Sequence, residues 1–133
     1  MSDKHNPNLI GFFNLDTLPE HDKGHMTQRL ISGTQGMAVW SKIKAGSHTP
    51  GHSHHNEQIM LITSGRMDFR LQDEIKVCLP GDMILIPGGV EHEVWYREEC
   101  DVIEFFSPPR YDLYPAAINN PFGLDAAEGK SKV

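Results

Sequence analysis

Two stretches decide how this chain folds: Gly46-Ser47-His48-Thr49-Pro50-Gly51-His52-Ser53-His54-His55-Asn56-Glu57-Gln58, and Gly81-Asp82-Met83-Ile84-Leu85-Ile86-Pro87-Gly88-Gly89-Val90-Glu91-His92. His52 and His54 are two positions apart, so on an extended segment both imidazoles project from one face. Gln58 shares their parity if the strand continues without a bulge. His92 belongs to a different strand, reached only after the turns at Gly81 and Gly89. His52, His54, Gln58 and His92 together offer three imidazoles and one side-chain oxygen. That set suits one divalent transition metal (Fe, Mn, Ni, Co, Cu or Zn), with positions left open for water or substrate. These donors do not select among those ions. His55 has the opposite parity and His48 precedes the irregular Pro50-Gly51, so both read as surface or rim residues. His5, His21 and His25 read as solvated.

Outward from these stretches, the chain from about 27 to 107 consists of short strands punctuated by turn residues, the texture of an all-β barrel or sandwich. Met37, Val39, Ser41 and Ile43 alternate with Ala38, Trp40 and Lys42. Met67, Phe69 and Leu71 alternate with Arg66, Asp68 and Arg70, the period of a half-buried strand. Ser64-Gly65, Gln72-Asp73-Glu74, Pro80-Gly81-Asp82 and Pro87-Gly88-Gly89 supply the turns. Three spans are expected: an arm over 1–26 with one short strand near Gly11 to Asn14, a barrel over 27–110, and an extension over 111–133 whose end is disordered.

Composition narrows the function. A chain of 133 residues has room for one domain. Its formal charge of -6, from 18 acids and 12 bases, argues against nucleic acid as a partner. A few local cations could still receive an anionic small molecule. The longest apolar runs fall far short of a bilayer span, and no apolar leader follows Met1, so a cytoplasmic location without membrane contact is expected. Cys78 and Cys100 form no CxxC pair and read as small buried hydrophobes.

The spacing of these stretches resembles the two sequence motifs of the cupin superfamily. Gly46, His52, His54, Gln58 and Gly65 fall on the first motif, with Gln58 where Glu is usual; Gly81, Pro87, Gly89 and His92 fall on the second. The resemblance implies a double-stranded β-helix (jelly-roll) barrel with the metal held by His52, His54, Gln58 and His92. Replacing Glu by Gln keeps the oxygen donor and removes one negative charge, which favours anionic ligands. Cupins of this size commonly pair through an outer sheet, so a homodimer is expected on resemblance.

A narrower resemblance covers Glu104-Phe105-Phe106-Ser107-Pro108-Pro109-Arg110, which is similar to the ending of the small KdgF-type cupins of pectin and alginate breakdown. Those proteins linearise a ring-closed 4,5-unsaturated uronate to a ketone. The resemblance places a carboxylate at Glu104, an aromatic at Phe106 and a cation at Arg110 in the substrate pocket. Glu104 departs from the family's Asp, and one methylene moves a carboxylate by about an ångström, enough to retune proton transfer. Met60 and Ile62 share the parity of Gln58 and are expected to line the interior, with Trp40 at the mouth. Three functions stay open: a lyase- or isomerase-like enzyme, an iron-dependent dioxygenase, and a non-catalytic small-ligand-binding cupin.

Overall fold

The computed structural model describes residues 11–113. Ten strands form two antiparallel sheets. These are β1 (His21–Asp22), β2 (Met26–Ser32), β3 (Met37–Ile43), β4 (His48–His52), β5 (Glu57–Ser64), β6 (Met67–Leu71), β7 (Glu74–Cys78), β8 (Met83–Ile86), β9 (His92–Tyr96) and β10 (Cys100–Ser107). One sheet runs β1-β2-β3-β10-β5-β8 and the other β4-β9-β6-β7. The turns and period-2 runs predicted an all-β barrel or sandwich, and the jelly-roll barrel that the cupin resemblance implied is the fold observed.

The alternation of side chains decides what lies between the sheets. On β3, Met37, Val39, Ser41 and Ile43 are buried while Lys42 is exposed. On β5, Gln58, Met60 and Ile62 face inward; on β9, His92, Val94 and Tyr96 do. The core divides. Ile43, Met60, Ile62, Met67, Phe69, Val94 and Val102 pack with others in one cluster, and Leu30, Met37, Val39 and Phe106 in a second, closed by Tyr111 and Leu113. Cys78 and Cys100 are buried and unpaired, as small hydrophobes would be.

Among the motif glycines, Gly65 is the most constrained. Its φ is +90°, and a Cβ there would lie 2.2 Å from the Glu99 carbonyl oxygen, so the β5–β6 turn closes against the start of β10 only with glycine.

The N-terminal part departs from expectation. Residues 11–14 form no strand; a 3-10 turn at Leu15–Thr17, capped by Asn14 Oδ1 accepting from Asp16 N–H at 2.8 Å, precedes β1 and β2. The extended pairing begins later because β1 finds its partner in β2, with His21 opposite Gln28. The disorder expected at the chain's end falls outside the described residues. No helix among the described residues is long and apolar enough to cross a membrane.

Candidate metal centre

Local backbone brings the four predicted donors together. His52 ends β4 and pairs in register with His92, which begins β9. His54 sits in the connection between β4 and β5, so its approach is set by a loop and not by the strand parity expected from the sequence. Gln58 starts the inward face of β5 and is 3% exposed. One ligand atom from each of His52, His54 and His92 can be chosen so that all lie within 4.8 Å of one another.

The three imidazoles are oriented the same way. His52 Nδ1 faces Pro50 O at 2.9 Å, His54 Nδ1 faces Asn56 O at 3.1 Å, and His92 Nδ1 faces Val90 O at 2.9 Å. A backbone carbonyl can only accept, so at His52 and His92 the proton sits on Nδ1 and Nε2 keeps its lone pair; at His54 both ring nitrogens face an oxygen, and the Nδ1–H tautomer is the one that leaves Nε2 for a metal. Burial, chiefly, holds His54 below the usual imidazole range and pushes His92 down to about 4, so both are neutral at pH 7.

A second observation tests whether these residues fit a cation. His54 Nε2 and Gln58 Oε1 stand 3.0 Å apart. With the histidine proton on Nδ1, both atoms are acceptors, and no hydrogen lies between them. Two donors about 2.1 Å from one ion at right angles would be about 3.0 Å apart. The close approach of two lone pairs is what a shared cation would relieve, so the donor set fits a metal.

Gln58 is fixed from behind. Its Nε2 donates to Glu104 Oε2 at 2.6 Å, which turns Oε1 toward the histidines. Glu104 lies on β10 opposite Met60, on the same face as Phe106, the register partner of Gln58. Protein atoms enclose its carboxyl even though part of its surface meets the cavity. That desolvation raises it to about 7, against the opposing pull of Arg110. The Arg110 guanidinium stacks over Phe106 with its carbon 5.4 Å from the ring centre. It donates to Asp112 through Nε at 3.2 Å and Nη2 at 2.6 Å. Asp112 therefore occupies the Nε/Nη2 edge of Arg110.

These groups share a cavity of about 270 Å³ lined by His52, Gln58, Met60, His92, Glu104, Phe106 and Arg110. Two residues expected there are elsewhere. Trp40 has the outward parity of β3 and lies on the far side of the six-stranded sheet, beneath Arg29, beside Leu15 and Leu18. Ile62 faces inward but is wholly buried in the core cluster and does not reach the cavity. Conversely, Lys23, His25, Gln28, Thr49 and Tyr96 also line it. His25, expected to be merely solvated, is exposed but lines the cavity from the β1–β2 connection. His48 lies outside, its Nε2 2.6 Å from Glu93 and its ring stacked on Trp95.

The sequence model of the cupin domain matches residues 39–106, and the chain belongs to the cupin family. Among solved structures, KdgF from Halomonas sp. is similar at 27% identity with a TM-score of 0.74, covering 78% of this chain and all of that one. An RmlC-like cupin from Shewanella frigidimarina has 24% identity and the same TM-score, covering 77% of this chain and 95% of that one, a likeness of fold alone. No curated protein sequence matches the chain.

Proposed function

We propose that the protein is a metal-dependent enzyme that opens and isomerises a small carboxylate-bearing substrate, a ring-closed 4,5-unsaturated uronate. The observation carrying this reading is the chain of contacts from His54 through Gln58 to Glu104, which puts a carboxyl near neutrality one side chain away from the metal position. The likeness to KdgF and the assembly of Glu104, Phe106 and Arg110 on the same cavity support it.

When bound by His52, His54, Gln58 and His92, the metal would supply Lewis acidity toward a substrate oxygen. The chain's own groups account for orientation and proton movement. Arg110, stacked on Phe106 and steadied by Asp112, offers its Nη1 edge to the substrate carboxylate. The overall change is an isomerisation without an oxidant. The hemiacetal hydroxyl loses its proton, the C1 to ring-oxygen bond breaks to give an aldehyde and an enolate, and that same proton is delivered to C4 of the enolate to give the ketone. Glu104, half protonated near pH 7, is suited to take up and return that proton. Gln58, a neutral ligand, leaves Glu104 free of a second anion at hydrogen-bond distance, which would hinder its ionisation.

The test is to load the purified protein with Mn²⁺, Fe²⁺, Ni²⁺ or Zn²⁺ and follow loss of the conjugated enol absorbance of an unsaturated uronate. A metal-dependent loss without oxygen uptake is expected. Substrate-dependent oxygen consumption with iron would establish the dioxygenase reading instead, and a uronate recovered unchanged but stabilising the fold would establish simple binding.

A homodimer is the assembly we infer. The outer face of the six-stranded sheet leaves Met83 at 66%, Leu85 at 56% and Phe105 at 46% exposure, an apolar surface suited to a second copy. Light scattering on eluted protein decides it, with a monomer mass as the contrary result.

A further inference from the structure

Among the described residues, three buried side-chain atoms have no hydrogen-bond partner: Gln28 Oε1, Arg29 Nε and Asp68 Oδ1. Of these residues, Gln28 alone lines the metal-bearing cavity. It is 5% exposed, and its Nε2 donates to Ser41 Oγ at 3.1 Å; in that orientation the carbonyl oxygen is buried without a partner behind the cavity wall. Most other polar groups on that wall are engaged. Tyr96 is bonded to Thr49, Gln58 to Glu104 and Arg110 to Asp112.

Register places Gln28 on the inward face two strands across from β10, lining the same cavity as Glu104. It pairs with Ser41, Ser41 pairs with Val102, and Glu104 is the next inward residue on β10. A six-carbon acid held at the metal would extend along this row toward β2. A buried unpaired carbonyl is destabilising when nothing donates to it. A ligand that supplies the donor would satisfy it. A carbonyl oxygen only accepts, so the complementary group is a hydroxyl. Met26, two residues away with the same parity, lines the same cavity and is unbranched, so it can yield as the hydroxyl approaches.

We propose that Gln28 is a specificity-determining residue that accepts a hydrogen bond from a substrate hydroxyl remote from the metal, making the ligand a polyhydroxylated acid and not a simple carboxylate. This rests on the uronate reading above and sharpens it.

The experiment measures, by calorimetry on nickel-loaded protein, the Kd of D-glucuronate and its 2-, 3- and 4-deoxy analogues for wild type and Gln28→Met. Wild type is expected to bind one analogue about threefold to tenfold more weakly than glucuronate, the range of one neutral hydrogen bond. Gln28→Met should bind glucuronate and that analogue equally, at the weaker value. If Gln28→Met keeps the wild-type discrimination among all four ligands, the proposal is overturned while the uronate reading stands. If no uronate binds wild type, the uronate reading fails, and Gln28 is decided on the ligand-free protein. There, replacing both partners (Gln28→Met with Ser41→Ala) should raise the unfolding midpoint if Oε1 is an unpaired acceptor kept for a ligand. A lowered midpoint makes the pair a packing element and overturns the proposal.

Discussion

Gln58 donates its amide hydrogen to Glu104 Oε2 at 2.6 Å while presenting its carbonyl oxygen 3.0 Å from His54 Nε2. One side chain thus joins the metal position to the carboxyl that would move protons, and substitution at either end should separate the two roles. Glu104→Gln keeps shape and removes the proton carrier. Turnover of an unsaturated uronate should fall by about 10²- to 10⁴-fold, the usual share of general acid–base catalysis. Metal content, measured by elemental analysis, should stay at the wild-type value. Gln58→Glu should instead tighten metal binding and place two carboxylates side by side, moving the alkaline limb of the pH–rate profile upward.

The pH dependence of the metal-free protein reflects opposed shifts, the lowering of His92, shared in direction by His54, against the raising of Glu104. His92 falls to about 4 in the folded state, so between pH 4 and its ordinary 6.5 the unfolded chain binds more protons. Its contribution is present above pH 6.5 and is lost as pH falls through 4. Glu104 rises to about 7 from an ordinary 4.5, so between those values the folded state holds the extra proton. Its contribution is present below pH 4.5 and is lost as pH rises through 7. Chelated wild type should therefore show a shallow profile across pH 4.5–6.5. Glu104→Gln should show stability rising monotonically with pH over the same window in urea titrations; a flat profile in that variant would contradict the His92 assignment.

Metal occupancy should be visible in stability. At a free metal concentration of 100 Kd, binding to the folded state adds about 2.7 kcal/mol, and chelation removes it. His52→Ala, His54→Ala and His92→Ala should each abolish most of that increment, as followed by thermal melts with and without EDTA. Trp40→Phe, on the far side of the sheet, should leave it intact.

Asn56 ties the metal loop to the segment bearing Arg110. It is 1% exposed, its Nδ2 donates to Pro108 O at 2.6 Å and Pro109 O at 3.3 Å, and its own carbonyl receives His54 Nδ1–H. Asn56→Leu leaves two proline carbonyls without this donor. Unfolding of the chelated protein should cost about 2–4 kcal/mol less. In the folded fraction KM should rise more than kcat falls, because Arg110 loses its anchor.

Gly88 is a steric requirement of the loop that carries His54. A Cβ there would lie 2.2 Å from His55 O, and Gly89 N–H donates to His54 O at 2.8 Å. Backbone cannot yield as a side-chain tip can, so Gly88→Ala should displace the loop. Metal affinity, measured by competition with a chelating dye, should weaken by about 10- to 100-fold, the range seen when the supports of metal ligands are removed.

The sequence alone marked an all-β barrel or sandwich and a set of candidate donors, because period-2 burial on β3, β5 and β6 and the glycine-punctuated spacing around His52, His54, Gln58 and His92 are local properties of the chain. Parity also placed Met60 and Phe106 inside. It could not settle Trp40: the alternation on β3 already put Trp40 opposite Val39 and Ser41, but which face meets the cavity depends on the second sheet. Nor could it find Gln28 or His25, since β2 buries Gln28, Leu30 and Ser32 and so carries no apolar alternation to mark its inner face. Arg110's partnership with Asp112, and the turning of Gln58 by Glu104, were decided by tertiary structure. Both depend on where side chains from separate elements meet, and hydrogen bonds between such groups leave no periodic trace along the chain.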